Sequence, residues 1–171
     1  MGGSDVGKRG SANRRIRQFR ELDARECSEL VRACIMLDRD IPPVTLGRLL
    51  REESPQLMCK RAALFYLVVC ELDGTIVGLA GLDMNEVRLL YVDPKHQRGG
   101  IGRALLQYLE RMVPPTLFCD IFLYSTPSAE SFYRARGYQS MGDHVFDLDG
   151  HPLPTVFMVK PIQSIAEGRP S

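Results

Sequence analysis

No apolar run in these 171 residues approaches the roughly 18 that a membrane-spanning helix requires, so no such helix is expected. The N-terminus lacks the apolar stretch of a secretory signal. Gly2 does not complete a myristoylation motif, because position six is Val6 rather than Ser or Thr. These absences lead us to expect a cytoplasmic protein. The five cysteines (Cys27, Cys34, Cys59, Cys70 and Cys119) form no C-x-x-C pair, and their number is odd. None lies beside His96, His144 or His151 at metal-ligand spacing, so no metal is expected and the thiols read as small reduced hydrophobes. A strong charge of either sign is missing too, the formal net charge being +1.

That near-neutrality conceals an uneven distribution. Residues 1–20 carry a net charge of +5 and the remainder −4. A basic arm can touch an anionic surface, but the acidic body argues against a nucleic-acid-binding domain, which needs one basic face. With 44% hydrophobic and 25% charged residues, the composition is that of a globular protein. At this length a single core buries nearly 70% of the unfolded chain's surface. We expect a flexible basic arm over residues 1–13, one domain over 14–162 and a frayed tail over 163–171.

Hydrophobic spacing and turn residues order the elements. A weak strand spans Arg14 to Phe19. Asp23 and Glu26 look like a capping box for a helix carrying Cys27, Leu30, Val31, Cys34 and Ile35 at 3–4 spacing. Pro42-Pro43 ends it, Thr45 caps a second short helix, and residues 55–61 read as a loop. The nearly unbroken apolar run Leu64 to Leu72 predicts a strand buried on both faces. Asp73-Gly74 turns it into a hairpin with Thr75 to Leu82, where Gly78 and Gly81 leave room for another backbone. A third strand, Glu86 to Val92, stops at Asp93-Pro94. Ile101, Ala104, Leu105, Tyr108, Leu109 and Met112 share one helix face. Leu117 to Tyr124 is a strand, and Thr126-Pro127 starts a helix that Gly137 closes. Two last strands flank Asp149-Gly150. The order is β-α-α-β-β-β-α-β-α-β-β, an α+β class with a mixed, mostly antiparallel sheet.

The informative segment runs from Leu90 to Arg103. A strand ends, a loop with Gly99, Gly100 and Gly102 follows, and a helix begins. Free backbone N–H groups and the positive end of the helix dipole meet there, which makes an anion site suited to a pyrophosphate. A Walker A loop is a poor fit, because Gly102-Arg103-Ala104 supplies neither Lys nor hydroxyl. A dinucleotide fingerprint fails as well, since Leu105 stands where its third glycine belongs.

The segment resembles the acetyl-CoA loop of the GNAT superfamily of N-acetyltransferases, Q/R-x-x-G-x-G/A, through Gln97, Gly100 and Gly102, preceded by Val92-Asp93-Pro94. A second family motif resembles Thr126 to Tyr138, through Ala129, Phe132, Tyr133, Gly137 and Tyr138; Thr126 stands where Asn is usual. The resemblance covers about residues 64–160. It implies a GNAT-like fold, with a twisted sheet and helices on both faces. It implies acetyl-CoA as co-substrate, its pyrophosphate on the backbone of Arg98, Gly99, Gly100, Ile101, Gly102 and Arg103. Pantetheine would pair with the backbone of Leu90 and Val92 and meet Thr126. Lys95 and His96 lie near enough to help with the phosphates.

On the same resemblance Tyr133 becomes a general acid for the departing thiolate; its spacing with Ala129 and Phe132 alone would read as core. Glu86 is the first candidate for the base that takes the amine's proton, directly or through water, and Asp83 the second. The implied reaction is direct attack of a primary amine in a ternary complex. A small molecule or a peptide can be the acceptor, and a homodimer through the last strands is compatible with the family. The alternative is a non-catalytic GNAT-like module that holds CoA without transferring the acetyl group.

Overall fold

The computed structural model describes residues 13–162. The basic arm, apart from Asn13, and the tail after Ile162 lie outside the described residues. Seven strands form one sheet in the order β1-β2-β3-β4-β5-β7-β6. They are β1 (Arg14–Gln18), β2 (Tyr66–Leu72), β3 (Thr75–Asp83), β4 (Glu86–Val92), β5 (Asp120–Ser125), β6 (Gln139–Asp147) and β7 (Pro152–Pro161). Every neighbouring pair is antiparallel except β4–β5. Helices α1 (Ala24–Leu37), α2 (Pro43–Glu52) and α3 (Pro55–Leu64) precede the meander, α4 (Ile101–Met112) follows it, and the single-turn α5 (Glu130–Arg134) follows β5.

The expected class is found, with one helix more than expected. Residues 55–64 are helix rather than loop and strand start. Ser54 accepts a hydrogen bond from the Leu57 N–H, and Pro55 sits at the first helical position, where its missing N–H costs nothing. The proline that follows α2 therefore starts the next helix, and β2 begins only at Tyr66. Likewise β5 begins at Asp120, leaving Leu117 exposed in the connection.

Two capping expectations also change. Asp23 makes no side-chain cap at α1; its carboxylate accepts from Arg17 (2.6 and 2.9 Å) and from the Arg20 N–H. Glu26 instead receives the Ile76 N–H at 2.8 Å, tying α1 to β3. Thr45 lies inside α2, fully buried, and donates its hydroxyl to the Pro152 carbonyl. The two tight hairpin turns are as read, with positive φ at Asp73-Gly74 and Asp149-Gly150.

Two hydrophobic clusters sandwich the sheet. On one face Leu105, Leu106 and Leu109 of α4 pack on Val68, Val77, Ile121, Leu123 and Met158, with Tyr133 and Tyr138 at the edge. On the other, Cys27, Val31 and Ile35 of α1 and Met58 of α3 pack on Leu67, Val69 and Leu79. Gly81 admits side chains rather than a backbone, and Gly78 admits both, the Tyr91 carbonyl lying 3.4 Å from its Cβ position. A Cβ at Gly78 would lie 2.8 Å from Leu105 Cδ1, and one at Gly81 would lie 2.8 Å from Leu67 Cδ2. Gly78→Ala should therefore cost about 1–3 kcal/mol by overpacking beneath α4, read as a lower urea midpoint with an unchanged slope.

Candidate active site

The site follows from how β4 leaves β5. The two strands pair only at Glu86↔Phe122 and Val87↔Leu123. On its other side, β4 carries one extra residue against β3, Arg88, between the pairs Leu82↔Val87 and Gly81↔Leu89. A bulge bends its strand, and this one sits where pairing with β5 stops. Beyond Val87 the β5-facing edge of β4 has no strand partner among the described residues. The gap is a cleft of about 550 Å³ lined by β4 from Val87 to Val92, by Leu123 to Thr126, and by Tyr133.

At the upper end of β4 the chain turns through a short 3-10 turn, Pro94–His96, fixed by the Asp93 carboxylate on the Lys95 N–H (2.8 Å). The Gln97 side chain donates to the Val92 carbonyl, which also accepts the Cys34 thiol, each at 3.3 Å. Val92 O is thus already engaged, and Gln97 acts as a brace for the loop. Arg98 and Gly100 both have positive φ, 63° and 77°. Gly100 is the N-cap residue of α4 and provides no side-chain cap, so the first N–H groups of the helix lack a partner among the described residues. Gly102 serves packing: its Cβ position would lie 3.3 Å from the Phe132 ring.

Leu90, Val92, Arg98, Gly100, Gly102, Arg103, Phe132, Tyr133 and Arg136 line a second cavity of about 610 Å³, which shares Leu90, Val92, Gln97, Ala129 and Tyr133 with the first. Gly99 and Ile101 open instead onto a neighbouring hollow with Lys95, His96 and Arg14. Sequence reasoning missed two cations here. Arg14 of β1 brings a guanidinium nitrogen 3.9 Å from the Cβ position of Gly100. Arg136 stacks on Phe132 at 3.6 Å; burial and nearby Arg103 lower its pKa. Nothing in strand spacing marks Arg14, whereas Arg136 stands inside the second motif.

Tyr133 belongs to both cavities. Its ring is wedged edge-on between Phe132 and Tyr138 (centroids 5.0 and 5.7 Å), and its hydroxyl has no hydrogen-bond partner among the described residues. Burial, followed by the nearby Tyr91 phenol, which disfavours a second phenolate beside it, pushes the Tyr133 phenol well above its ordinary range, so it keeps its proton at neutral pH. Tyr91 itself, unremarked in the sequence, is pushed up to about 12 by burial. Thr126 lies on the cleft wall, 3.4 Å from the Ser128 hydroxyl.

The expected base is not brought together with Tyr133. Glu86 lies in the paired, closed end of β4, its carboxylate held by Arg88 at 3.0 and 3.1 Å, and it does not line the cleft. Asp83 pairs beside it on β3, equally outside. The carboxylates that do line the cleft are Asp38, Glu52 and Glu53. Glu53 is buried with one oxygen on Arg61 (2.7 Å) and the other, Oε1, unpaired.

The family model for the acetyltransferase (GNAT) domain matches residues 48–153, most of this architecture. The chain belongs to the GNAT acetyltransferases. Among curated GNAT relatives, peptidyl-lysine N-acetyltransferase YiaC of Escherichia coli (strain K12) is 33% identical over 98 residues, 55% of this chain and 62% of that one. The match therefore spans less than two thirds of YiaC. N-alpha-acetyltransferase RimI of Mycobacterium tuberculosis is 28% identical over 128 residues, 70% of this chain and 75% of RimI. Two solved structures share the GNAT fold at low identity. A GCN5-related N-acetyltransferase from Rhodopseudomonas palustris aligns with TM-score 0.81 and 19% identity over 91% of this chain and 100% of its own. PaiA N-acetyltransferase of Thermoplasma acidophilum, in complex with coenzyme A, aligns with TM-score 0.67 and 20% identity over 88% and 99%.

Removing Arg61 would strand the Glu53 carboxylate in a dry wall of the site. Arg61→Met should destabilise the fold by about 3–5 kcal/mol at pH 7. Because burial already raises the pKa of Glu53, the loss should shrink as pH falls and the group is neutralised, as urea titrations at pH 7 and 5 would show.

Proposed function

We propose that this protein is an acetyl-CoA-dependent N-acetyltransferase that moves the acetyl group to a primary amine of a peptide or protein by direct attack in a ternary complex. The observation that carries the reading is the opened β4 edge, which runs from the uncapped start of α4 to the Tyr133 hydroxyl. Such an edge takes an extended amide-bearing arm as an added strand, and the start of α4 takes phosphates. The coenzyme A in PaiA, the peptidyl-lysine in the name of YiaC and the N-alpha position in that of RimI support the same reading.

In this reading the backbone N–H groups of Ile101, Gly102 and Arg103, with Arg98 and the loop at Gly99-Gly100, hold the pyrophosphate. Arg14 and Arg136 add positive charge on either side of it. Leu90 offers backbone pairing to the pantetheine arm; Val92 contributes its N–H, since its carbonyl is taken by Gln97 and Cys34. Thr126 flanks the arm. Tyr133 donates a hydrogen bond, then a proton, to the departing sulfur. A phenol with a raised pKa suits this role because a thiolate in the same dry setting is raised as well. The five thiols are free and none is needed for a covalent intermediate.

Melting the purified chain with acetyl-CoA, ATP or NADH tests the ligand. At about 100-fold above Kd a specific ligand adds roughly 2.7 kcal/mol, or on the order of 5–10 °C at this size. We expect the rise with acetyl-CoA alone, and its loss in Gly100→Glu. Thiol release is then followed with two peptides, one with a capped N-terminus and a single lysine, one with a free N-terminal alanine and no lysine. Tyr133→Phe should lower turnover by about 10- to 1,000-fold with the acetyl-CoA shift retained. A shift with acetyl-CoA but no thiol release would favour the non-catalytic module.

A further inference from the structure

An amine at neutral pH is mostly ammonium and must lose a proton before it attacks, yet the carboxylate expected from sequence is locked to Arg88 outside the cleft. We propose that Asp38, at the C-terminal end of α1, is the general base that takes this proton from the acceptor amine. The proposal rests on the N-acetyltransferase reading above and adds to it the residue on the acceptor side.

The assignment follows from the state of each carboxylate at the site. Glu52 is largely exposed and held by Arg48 at 2.8 Å; Glu53 leaves Oε1 unpaired, but Arg61 at 2.7 Å on its other oxygen favours the charged form and weakens it as a base. Asp40 spends its Oδ2 on the Ser128 N–H (2.6 Å). Asp38 lines the cleft, and among the described residues no Lys or Arg pairs with it. Its Oδ1 accepts the Asp40 N–H at 3.0 Å and the Thr126 hydroxyl lies against the same carboxylate, which leaves lone pairs free for an ammonium.

Its position matches the task. Asp38 closes the helix packed on one face of the sheet, while Tyr133 belongs to the cluster on the other face. Both line the same cleft, so a carboxylate from one layer and a phenol from the other face one space that an amine can enter. The Asp40–Ser128 bond pins the Asp38 loop to the segment leading into α5, which fixes this relation.

The groups acting on Asp38 are Asp40 on its own loop and the Thr126 hydroxyl, with Cys34 on α1 and Tyr91 on β4 close enough to feel its charge; Asp93 acts on Cys34, and the Glu53–Arg61 pair on Tyr91. Burial first, and Asp40 next, raise its pKa, against its hydrogen bonds from Asp40 N–H and Thr126. A more basic carboxylate is a better proton acceptor from an ammonium. The step balances. One proton passes from the ammonium to Asp38 and on to solvent. The freed lone pair forms the N–C bond as the C–S bond breaks, and the nitrogen's second proton replaces the one that Tyr133 gives to sulfur.

The test is the pH dependence of kcat/KM for wild type, Asp38→Asn and Glu86→Gln with the two peptides named above. Asparagine keeps an oxygen for the Asp40 N–H. D38N should lose 100- to 1,000-fold near pH 7 while keeping the melting rise with acetyl-CoA. With the lysine peptide its rate should climb about tenfold per pH unit, as free amine accumulates, and approach wild type at high pH; with the N-terminal alanine the climb should level off near pH 8, where that amine is already free. Replacing the peptide lysine by the more weakly basic aminoethylcysteine should rescue D38N in part. Asp38→Ser, expected to behave alike, serves if D38N does not fold. A pH-independent loss in these variants, a change under threefold, or transfer of the pH effect to E86Q would overturn the proposal. Failure of wild type to acetylate either peptide would overturn the transferase reading itself, and the role of Asp38 with it.

Discussion

Two residue pairs hold β4 parallel to β5, and the functional architecture depends on their being only two. Had the pairing continued, the sheet would have closed over its own hydrogen-bonding groups and no cleft would exist. The extra residue at Arg88 bends β4 at the last paired position, so the backbone beyond it faces open space. An unsatisfied strand edge in the middle of a sheet is costly; here β4 is held to β3 and β5 to β7 by antiparallel ladders, with a hydrophobic cluster on each face. Those ladders and the core maintain the incomplete one between them.

Charge is then divided along that opening. The α4 end gathers Arg14, Arg98, Arg103 and Arg136 around unpaired N–H groups, and the adjoining cleft is lined by Asp38 and the buried Glu53–Arg61 pair. Tyr91 and Tyr133 stand between them as neutral phenols, each held in its protonated form by burial. On the proposed reading, a polyanionic co-substrate is drawn to the first region and a cationic acceptor to the second. Field lines from both regions favour this orientation over the reverse.

What could be read in the sequence was local in character. The β4–α4 loop, its glycines, the Tyr133 segment and the hairpin turns depend on neighbours a few residues away, and they were legible. The base was not. Glu86 sits on the right strand, but the bulge at Arg88 and the ion pair between them cannot be seen in strand alternation. Asp38 sits at a helix end that capping rules describe merely as a stop. Residues 55–64 carried a proline that reads equally as the end of α2 and the start of α3, and only Ser54 tipped the balance. Arg14 reaches Gly100 because β1 is placed two strands from β3, a matter of topology alone.

The acceptor wall is fastened across great distances in sequence. Thr45 holds the Pro152 carbonyl and Arg48 holds Leu148 and Asp149, so α2 is latched onto the β6–β7 hairpin. The cofactor half of the site, residues 86–137, takes no part in that latch. Changes in α2 or at the hairpin tip can reshape one wall while the other keeps its geometry. The wall that α2 and the hairpin form is thus a separable part of the site, joined by hydrogen-bonded contacts about a hundred residues apart in sequence.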